Sequence, residues 1–321
     1  MKKIHKNGNY FLIIDNDLEK RTALRVADFN DKSLLTPEHP ELVDIKLTDV
    51  CHIGCAFCYQ ASTKESDHGQ TEKIKAVIDQ INGDVTEVAY GGGDVLQHPD
   101  IVELLEYSKT RGIKSSNITM NWQSIMRYPE KVKEVTPLVD AFGISITGPG
   151  QVKKVVKKLK EIDCFRPTRN CFHIIPDIYP REVVRGMIAD ISTFAPQADI
   201  LFLGFKALGR GETFKVKQQD EQHMREYFHM CKSNGLNLQC DTKLVKDYLS
   251  VVTEFSDPSL YDIHEGEFSM NIDCVDNFYS IASYNLSHKW PLDEIASKGI
   301  PASFKKIRKA IGLKHFEKGG E

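Results

Sequence analysis

The sequence contains no apolar run of about 18 residues, the length that a membrane-spanning helix needs. Its first residues, MKKIHKNGNY, lack the apolar stretch of a signal peptide, so we expect a cytoplasmic protein without a membrane partner. An excess of charge of one sign is also missing, because 42 Lys and Arg face 45 Asp and Glu. That balance argues against non-specific nucleic-acid binding, and we expect no specific nucleic-acid partner.

Eight cysteines stand out against this background, and a chain without an export signal is expected to keep them reduced. Cys51, Cys55 and Cys58 fall together in the segment CHIGCAFC. Three neighbouring thiolates repel one another unless a cation neutralises them, so the segment predicts a metal ion or an iron–sulfur cluster. A zinc site completed by His52 or by a distant ligand fits the same spacing.

A glycine triplet follows in VTEVAYGGGDVLQHPD, residues 85–100. The pattern predicts a short buried strand that runs into Gly91, Gly92 and Gly93, and a helix that begins after Pro99. Glycines at a junction between strand and helix let the backbone approach a ligand without a side chain in the way. Taken alone, the triplet is equally compatible with an ordinary turn.

The CxxxCxxC spacing of Cys51, Cys55 and Cys58, followed by the glycine triplet, resembles the radical S-adenosylmethionine (radical SAM) superfamily. The resemblance implies that the three cysteines bind three irons of a [4Fe–4S] cluster. The open fourth iron would then chelate the amino and carboxylate groups of S-adenosylmethionine (SAM). Phe57, directly before the last cysteine, matches an aromatic position that lies beside the adenine in that family.

The glycine turn resembles the Gly-Gly-Glu-Pro motif of the same family, so Gly91, Gly92 and Gly93 are expected to contact the methionine amino group through their backbone. Asp94 and Val95 replace the family's Glu-Pro pair, which keeps the backbone role and departs from the family at the glutamate. The resemblance implies an oxygen-sensitive enzyme that cleaves SAM to a 5′-deoxyadenosyl radical. That radical removes a hydrogen atom from a substrate, and the electron comes from a donor such as flavodoxin or ferredoxin.

Strands and helices alternate regularly up to about residue 205, which predicts right-handed crossovers and a parallel sheet. The fold class expected from this alternation and from the resemblance is α/β, a partial (βα)6 TIM-like barrel. We expect an N-terminal β-hairpin arm over residues 1–40, the core barrel over 41–215 and a C-terminal α+β extension over 216–321. One continuous helix is predicted for about 122–136.

Active-site groups of such a barrel lie at the carboxyl ends of its strands. Asn121 and Ser145 end the third and fourth strands, and we expect them to contact SAM or the substrate; a helix cap is an equal alternative for Asn121. Lys206 and Arg210 follow the sixth strand and could hold a carboxylate or phosphate, or lie in a solvated loop. His173 is interpreted as a core histidine.

Cys240 is the candidate catalytic residue. It ends the alternating run Leu236, Leu238, Cys240, which predicts a further strand with the thiol at its carboxyl end. A thiol there would donate a hydrogen atom to a substrate radical. Burial of an inert cysteine in the core is the alternative, and burial statistics for free cysteine favour it.

The substrate is predicted from the segment 268–285, which reads as a hairpin and faintly resembles the auxiliary-cluster (SPASM-type) extensions of peptide-modifying radical SAM enzymes. Cys274 is its single cysteine, so the extension is not complete. A peptide is therefore the first expected substrate class, and a nucleotide or other small molecule is the second. A non-catalytic iron–sulfur or zinc-binding regulator is the alternative from another class.

Overall fold

The computed structural model describes residues 2–15, 22–28, 34–81, 85, 87–113, 115–216 and 219–316. Its strands are Lys2–Asn7 (β1), Tyr10–Asp15 (β2), Thr22–Val26 (β3), Leu42–Thr48 (β4), Glu87–Gly92 (β5), Ser116–Asn121 (β6), Ala141–Ser145 (β7), Asn170–Ile174 (β8), Asp199–Phe202 (β9), Asn237–Cys240 (β10), Ser269–Asp273 (β11), Phe278–Ser280 (β12) and Lys289–Pro291 (β13). Its helices are Thr71–Ile81 (α1), Ile101–Thr110 (α2), Trp122–Arg127 (α3), Pro129–Val135 (α4), Gln151–Glu161 (α5), Arg181–Phe194 (α6), Glu221–Ser233 (α7), Thr242–Asp247 (α8), Leu249–Phe255 (α9) and Asp293–Ala310 (α10).

One large sheet has the strand order β10-β9-β8-β7-β6-β5-β4-β11-β12-β13. Strands β4 to β10 pair with their sequence neighbours in parallel, and β11 joins the other side of β4, also in parallel. In the described part of the chain β10 and β13 do not pair, so the sheet is an open, partial barrel. The predicted fold class is confirmed, and β10 extends the parallel series beyond six strands.

The predicted N-terminal hairpin is present as β2 and β3, and β1 adds a third antiparallel strand. Tyr10 and Leu12 of β2 bury their side chains against Leu35 and Phe268, forming a small core separate from that of the barrel. The predicted C-terminal hairpin is present as β11 and β12. Because β10 and β11 belong to the large sheet, that sheet continues beyond residue 215.

The predicted helix over 122–136 is wrong as a single element. It is divided into α3 and α4 at Pro129, which occupies the first turn of α4. Proline has no backbone N–H and disfavours helical geometry in the residue before it, and Tyr128 accordingly has φ −123° and ψ 53°. Among the helices of the described ranges, none has the length and apolarity to cross a bilayer.

The two faces of the parallel strands differ in composition. One face is apolar and packs against the helices, as Ile45, Phe142 and Phe202 do with exposures of 0–1%. Burying each such side chain stabilises the fold by about 1.5–3 kcal/mol. The other face, here called the lumen face, carries mainly polar or small residues, among them Asp44, Ala89, Asn117, Thr119, Gly143, Ser145, Cys171 and His173. A barrel interior of this composition leaves room for a ligand.

Candidate active site

The loop that follows β4 contains Cys51, Cys55 and Cys58, and residues 51–58 are here called the cysteine loop. All three thiols are free and half-buried. The loop is fixed at its start, where the backbone N–H of Cys51 donates to the carbonyl of Thr63 at 2.7 Å. Because the cysteine loop closely follows β4, the three cysteines lie at the carboxyl end of the barrel sheet.

The three cysteines affect one another's pKa values through electrostatic repulsion between their thiolates. Burial, and then the charges of Cys58 and Cys51, raises the pKa of Cys55 to about 11, whereas Arg210 opposes the rise. Burial also raises the pKa of Cys51. A cationic group bound by all three would relieve this repulsion, so the donor set fits an iron–sulfur cluster.

Among the described residues, no group of three or more His, Cys, Asp and Glu could hold a single metal ion. The cysteines of an iron–sulfur cluster each bind a different iron, so they need not converge on one point.

Arg210 fastens the cysteine loop from a distant part of the chain. Its Nε donates to the carbonyl of Cys55 and its Nη1 to that of Ser62, both at 2.9 Å. Its backbone N–H donates to the carbonyl of Cys58 at 3.0 Å. These contacts correct the interpretation of Arg210 as a residue of a solvated loop, whereas its expected contact with a carboxylate or phosphate stays a prediction.

The three glycines of the turn have different surroundings. Gly92 has φ +129°, and a side chain there would clash with the carbonyl of Thr48. A Cβ at Gly93 would lie 2.6 Å from the carbonyl of Val50. A Cβ at Gly91 would meet nothing within 4 Å. Gly92 and Gly93 thus allow close packing against the segment before the cysteine loop, and Gly91 borders open space.

Asp94 uses its carboxylate within the protein. The side chain is 3% exposed and accepts hydrogen bonds from Gln97 Nε2 and Ser124 Oγ, each at 2.8 Å. The backbone N–H of Leu96 donates to it at 3.3 Å. These contacts connect the glycine turn to α3, so the residue that departs from the family motif has a structural role here.

Asn121, Ser145 and His173 form a row across β6, β7 and β8, because Asn121 pairs with Ser145 and Ser145 with His173. Asn121 caps α3, since its Oδ1 accepts from the backbone N–H of Gln123 at 3.0 Å. The cap alternative is therefore present, and contacts of Asn121 and Ser145 with SAM stay predictions.

The sequence interpretation placed His173 in the core, whereas the structure places it on the lumen face of β8. Its ring lies on the lumen face beside Gly143, where an added Cβ would lie 2.5 Å from Cε1 of His173. Burial, followed by the charge of Lys206, lowers the pKa of His173 to about 4. The alternation of NCFHII could have revealed this orientation, because it puts His173 opposite the buried Phe172 and Ile174.

Lys206 lies beside the cysteine loop. Its Nζ is 4.9 Å from the ring centres of both Tyr59 and Tyr284 and 3.8 Å from Oδ2 of Asp241. Negative charge around it, including Asp241 and Glu265, raises the pKa of Lys206 although burial opposes the rise. Lys206 therefore stays protonated in an environment that is predominantly acidic.

A small cavity of about 50 Å³ connects Lys206 with the cysteine loop. Phe57 lies at its edge and packs edge-on against Tyr179 and Phe214, at 6.3 and 5.8 Å between ring centres. The remaining lining residues are Tyr59, Ile175, Leu203, Gly204 and Phe205. A larger cavity, about 370 Å³, separates the loop residues His52 and Ile53 from α3 and has no cysteine in its wall.

Cys240 ends β10, as predicted, but its side chain packs against the apolar core. It pairs in register with Phe202, which belongs to the helix-facing side, and burial raises its pKa to about 12. This position favours the packing alternative over hydrogen donation. Cys171 is the thiol of the parallel strands that shares the lumen face, next to Gly143 in register.

Comparison with known proteins agrees with this geometry. Residues 45–175 match the family model of the Radical SAM superfamily, and this range runs from β4 through the cysteine loop and glycine turn to the end of β8. Residues 45–175 therefore form a radical SAM domain, and the enzymes of that superfamily use a [4Fe–4S] cluster and SAM.

A curated relative is the probable GTP 3′,8-cyclase of Methanococcus maripaludis, 26% identical over 117 residues, which are 35% of this chain and 38% of the relative. The chain thus spans well under half of the curated relatives that it matches first. Streptococcus suis SuiB bound to SAM has a similar fold, with a TM-score of 0.64 and 14% identity over 87% of this chain and 71% of SuiB. SuiB bound to its precursor peptide SuiA also gives 0.64 at 14% identity, over 84% and 65%.

Proposed function

We propose that this protein is a radical SAM enzyme whose cluster ligands are Cys51, Cys55 and Cys58 and whose substrate is a peptide. The observation that carries the proposal is the position of the three free thiols at the carboxyl end of β4, on the same edge as Gly91 and the lumen face. When bound, the cluster and SAM supply a 5′-deoxyadenosyl radical that abstracts a hydrogen atom. The electron would come from a donor such as flavodoxin or ferredoxin.

The chain's own residues would bind and orient the cluster and SAM and would shield the radical from water. Arg210 holds the cysteine loop through the carbonyls of Cys55 and Cys58 and the segment after it through the carbonyl of Ser62, which supports the backbone that carries the thiols. The open space at Gly91 allows the backbone to approach the methionine moiety of SAM. Phe57 and its aromatic neighbours form an apolar wall beside the cysteines, which would exclude water from a reactive species. Asn121 and Ser145 are the proposed polar contacts to SAM.

Two observations point to different substrates. The curated relatives named as GTP 3′,8-cyclases favour a nucleotide substrate. The structural likeness to SuiB bound to a precursor peptide favours a peptide substrate. A triphosphate needs cationic side chains, whereas the carboxylates Asp44, Asp241 and Glu265 surround Lys206. This charge distribution favours the peptide over the nucleotide.

Anaerobic reconstitution tests the enzyme against a non-catalytic binder. Wild-type protein should take up iron and sulfide and release 5′-deoxyadenosine from SAM under dithionite. Replacing Cys51, Cys55 and Cys58 together with alanine should remove the iron and the product. As matched controls, Cys164→Ala and Cys231→Ala should retain both, because these two cysteines are buried in the core. Iron uptake without 5′-deoxyadenosine in the wild type would favour the regulator.

The glycine turn gives a second test. Gly91→Val adds a branched side chain to open space and should weaken SAM binding markedly while the cluster assembles and the fold is kept. Gly93→Val is the contrasting variant, because its side chain meets the Val50 carbonyl and should destabilise the fold instead. Unchanged SAM affinity in a cluster-loaded Gly91→Val protein would place the cofactor elsewhere.

A further inference from the structure

A group of half-buried residues from six separate segments of the chain lies around one lysine at the carboxyl end of the barrel. We call it the Lys206 cluster. Its members are Asp44, Tyr59, Lys206, Asp241, Glu265 and Tyr284.

The cluster is unbalanced in charge. One ammonium, that of Lys206, lies within electrostatic range of three carboxylates, those of Asp44, Asp241 and Glu265. Outside the cluster, Glu87 acts on Asp44, Asp247 acts on Asp241 and Lys246 acts on Glu265, so these charges do not reverse the sign of the cluster. The negative excess therefore persists, and such a site attracts cations and repels anions.

The three carboxylates differ in how they are satisfied. Oδ1 of Asp241 accepts from the backbone N–H groups of Gly204 and Leu244, both at 2.8 Å. Glu265 accepts a hydrogen bond from the hydroxyl of Tyr284. Within the described ranges, Asp44 accepts no hydrogen bond and has no cationic partner within 4 Å, although it faces the lumen. A carboxylate left in this way is ready to pair with a ligand.

The aromatic members suit the same kind of ligand. The rings of Tyr59 and Tyr284 each lie 4.9 Å from the Lys206 ammonium, a distance at which ring faces attract cations. Tyr59 directly follows the last cysteine of the cysteine loop, so a group bound here lies next to the proposed radical chemistry. The cavity lined by Tyr59 and Lys206 gives access from that side.

We propose that the Lys206 cluster binds a cationic group of the substrate, an ammonium or a guanidinium, with Asp44 as its principal counter-charge and Glu265 as the second. This inference rests on the proposed function, because it assigns the substrate class of that same site. It covers a lysine or arginine side chain of a peptide as well as a free amine, since both present the same chemistry.

The test is equilibrium dialysis of anaerobic, cluster-loaded protein with SAM against three probes of equal length: n-butylammonium, n-butanol and n-butyrate. We expect n-butylammonium to bind about tenfold more tightly than either other probe, as one charge-assisted hydrogen bond implies. Asp44→Asn should abolish that preference and Glu265→Gln should reduce it. Asp276→Asn removes an exposed carboxylate elsewhere and should change nothing.

Equal binding of the three probes, tighter binding of n-butyrate, or a preference that survives Asp44→Asn would each overturn the proposal. A melting curve for each variant checks that the variant is folded. If Asp44→Asn does not fold, the binding preference of Glu265→Gln tests the proposal instead. Dialysis does not depend on turnover, so a protein that makes no 5′-deoxyadenosine refutes the proposed function without deciding the binding result. A capped pentapeptide with one central lysine is the fourth probe. If it binds more tightly than n-butylammonium, the cationic group belongs to a peptide, and if it binds more weakly, the group belongs to a small amine. Both outcomes support a cationic substrate.

Discussion

Lys46 and Lys206 each lie among three carboxylates at the carboxyl end of the barrel, yet they are held differently. Nζ of Lys46 is 2.6 Å from Asp49, 2.9 Å from Asp273 and 3.6 Å from Asp276. Among the described residues, Lys206 has a single carboxylate within 4 Å, at 3.8 Å, and otherwise faces two tyrosine rings. Lys46 and its three ion-paired carboxylates, Asp49, Asp273 and Asp276, are here called the closed network. The Lys206 cluster, whose carboxylates mostly lie beyond ion-pair distance of the lysine, is called the open network.

The closed network joins elements that must stay together. Lys46 on β4 binds Asp273 on β11 and Asp49, which lies between β4 and the cysteine loop. Side-chain exposures of 11% for Lys46 and 7% for Asp273 mean that either charge alone would be costly. The open network leaves one carboxylate, Asp44, for an external partner. Completeness of pairing, rather than composition, separates a structural cluster from a candidate binding site.

The largest expected effect tests the structural side of this contrast. Lys46→Met should lower the free energy of unfolding by about 3 kcal/mol, because it leaves Asp49 and Asp273 without their cation. Lys206→Met should cost about 1 kcal/mol, because its one ion pair is long and partly exposed. Chemical denaturation measures both, and equal losses would remove the distinction between the two clusters.

Stability as a function of pH gives the next effect. Burial, with Glu265 and Glu87 against the opposing charge of Lys206, raises the pKa of Asp44 from 3.8 to about 6. The folded state then holds this proton more tightly than the unfolded chain, so the contribution is present below pH 4 and lost as pH rises through 6. Asp44→Asn should match the wild type near pH 4 and exceed it by about 2 kcal/mol above pH 7.

Denaturation curves of both proteins at pH 4 and pH 7.5 measure this difference. The Asp44→Asn variant should thereby become the more stable protein at neutral pH while losing the proposed ligand preference. A variant less stable than the wild type at pH 7.5 would show that Asp44 is paired in the folded protein.

The smallest effect comes from the outer edge of the closed network. Asp276 is 64% exposed and contacts Lys46 at 3.6 Å. Asp276→Asn should therefore change the free energy of unfolding by less than about 0.5 kcal/mol. Thermal unfolding measures this change. A larger loss of stability would show that the exposed Asp276 also contributes to the closed network.

Local patterns were sufficient for most strands and helices of the barrel and for the cysteine loop. The spacing of Cys51, Cys55 and Cys58 identified the family, and the alternation of β4 placed the loop at the carboxyl end of a strand. The division of helix 122–136 at Pro129 was within reach of the sequence as well, because proline restricts the residue before it. These features depend on a few neighbouring residues.

Features that depend on contacts between distant segments were not predictable. Arg210 donates to the carbonyls of Cys55 in the cysteine loop and of Ser62 just after it, about 150 residues earlier in the chain, and no spacing rule connects these segments. The Lys206 cluster likewise combines residues from Asp44 to Tyr284. Cys240 illustrates the intermediate case: its strand was predicted correctly, but the face on which the thiol lies follows from the register with Phe202.

The parallel pairing of β11 with β4 has a consequence for synthesis of the chain. Until residues 269–273 have left the ribosome, β4 remains an edge strand with unpaired backbone groups, directly before the cysteines. A nascent or truncated chain without β11 therefore exposes this strand edge next to the segment that carries the three cysteines. The C-terminal hairpin therefore also has a protective role, because β11 covers the edge of the strand that leads into the cysteines.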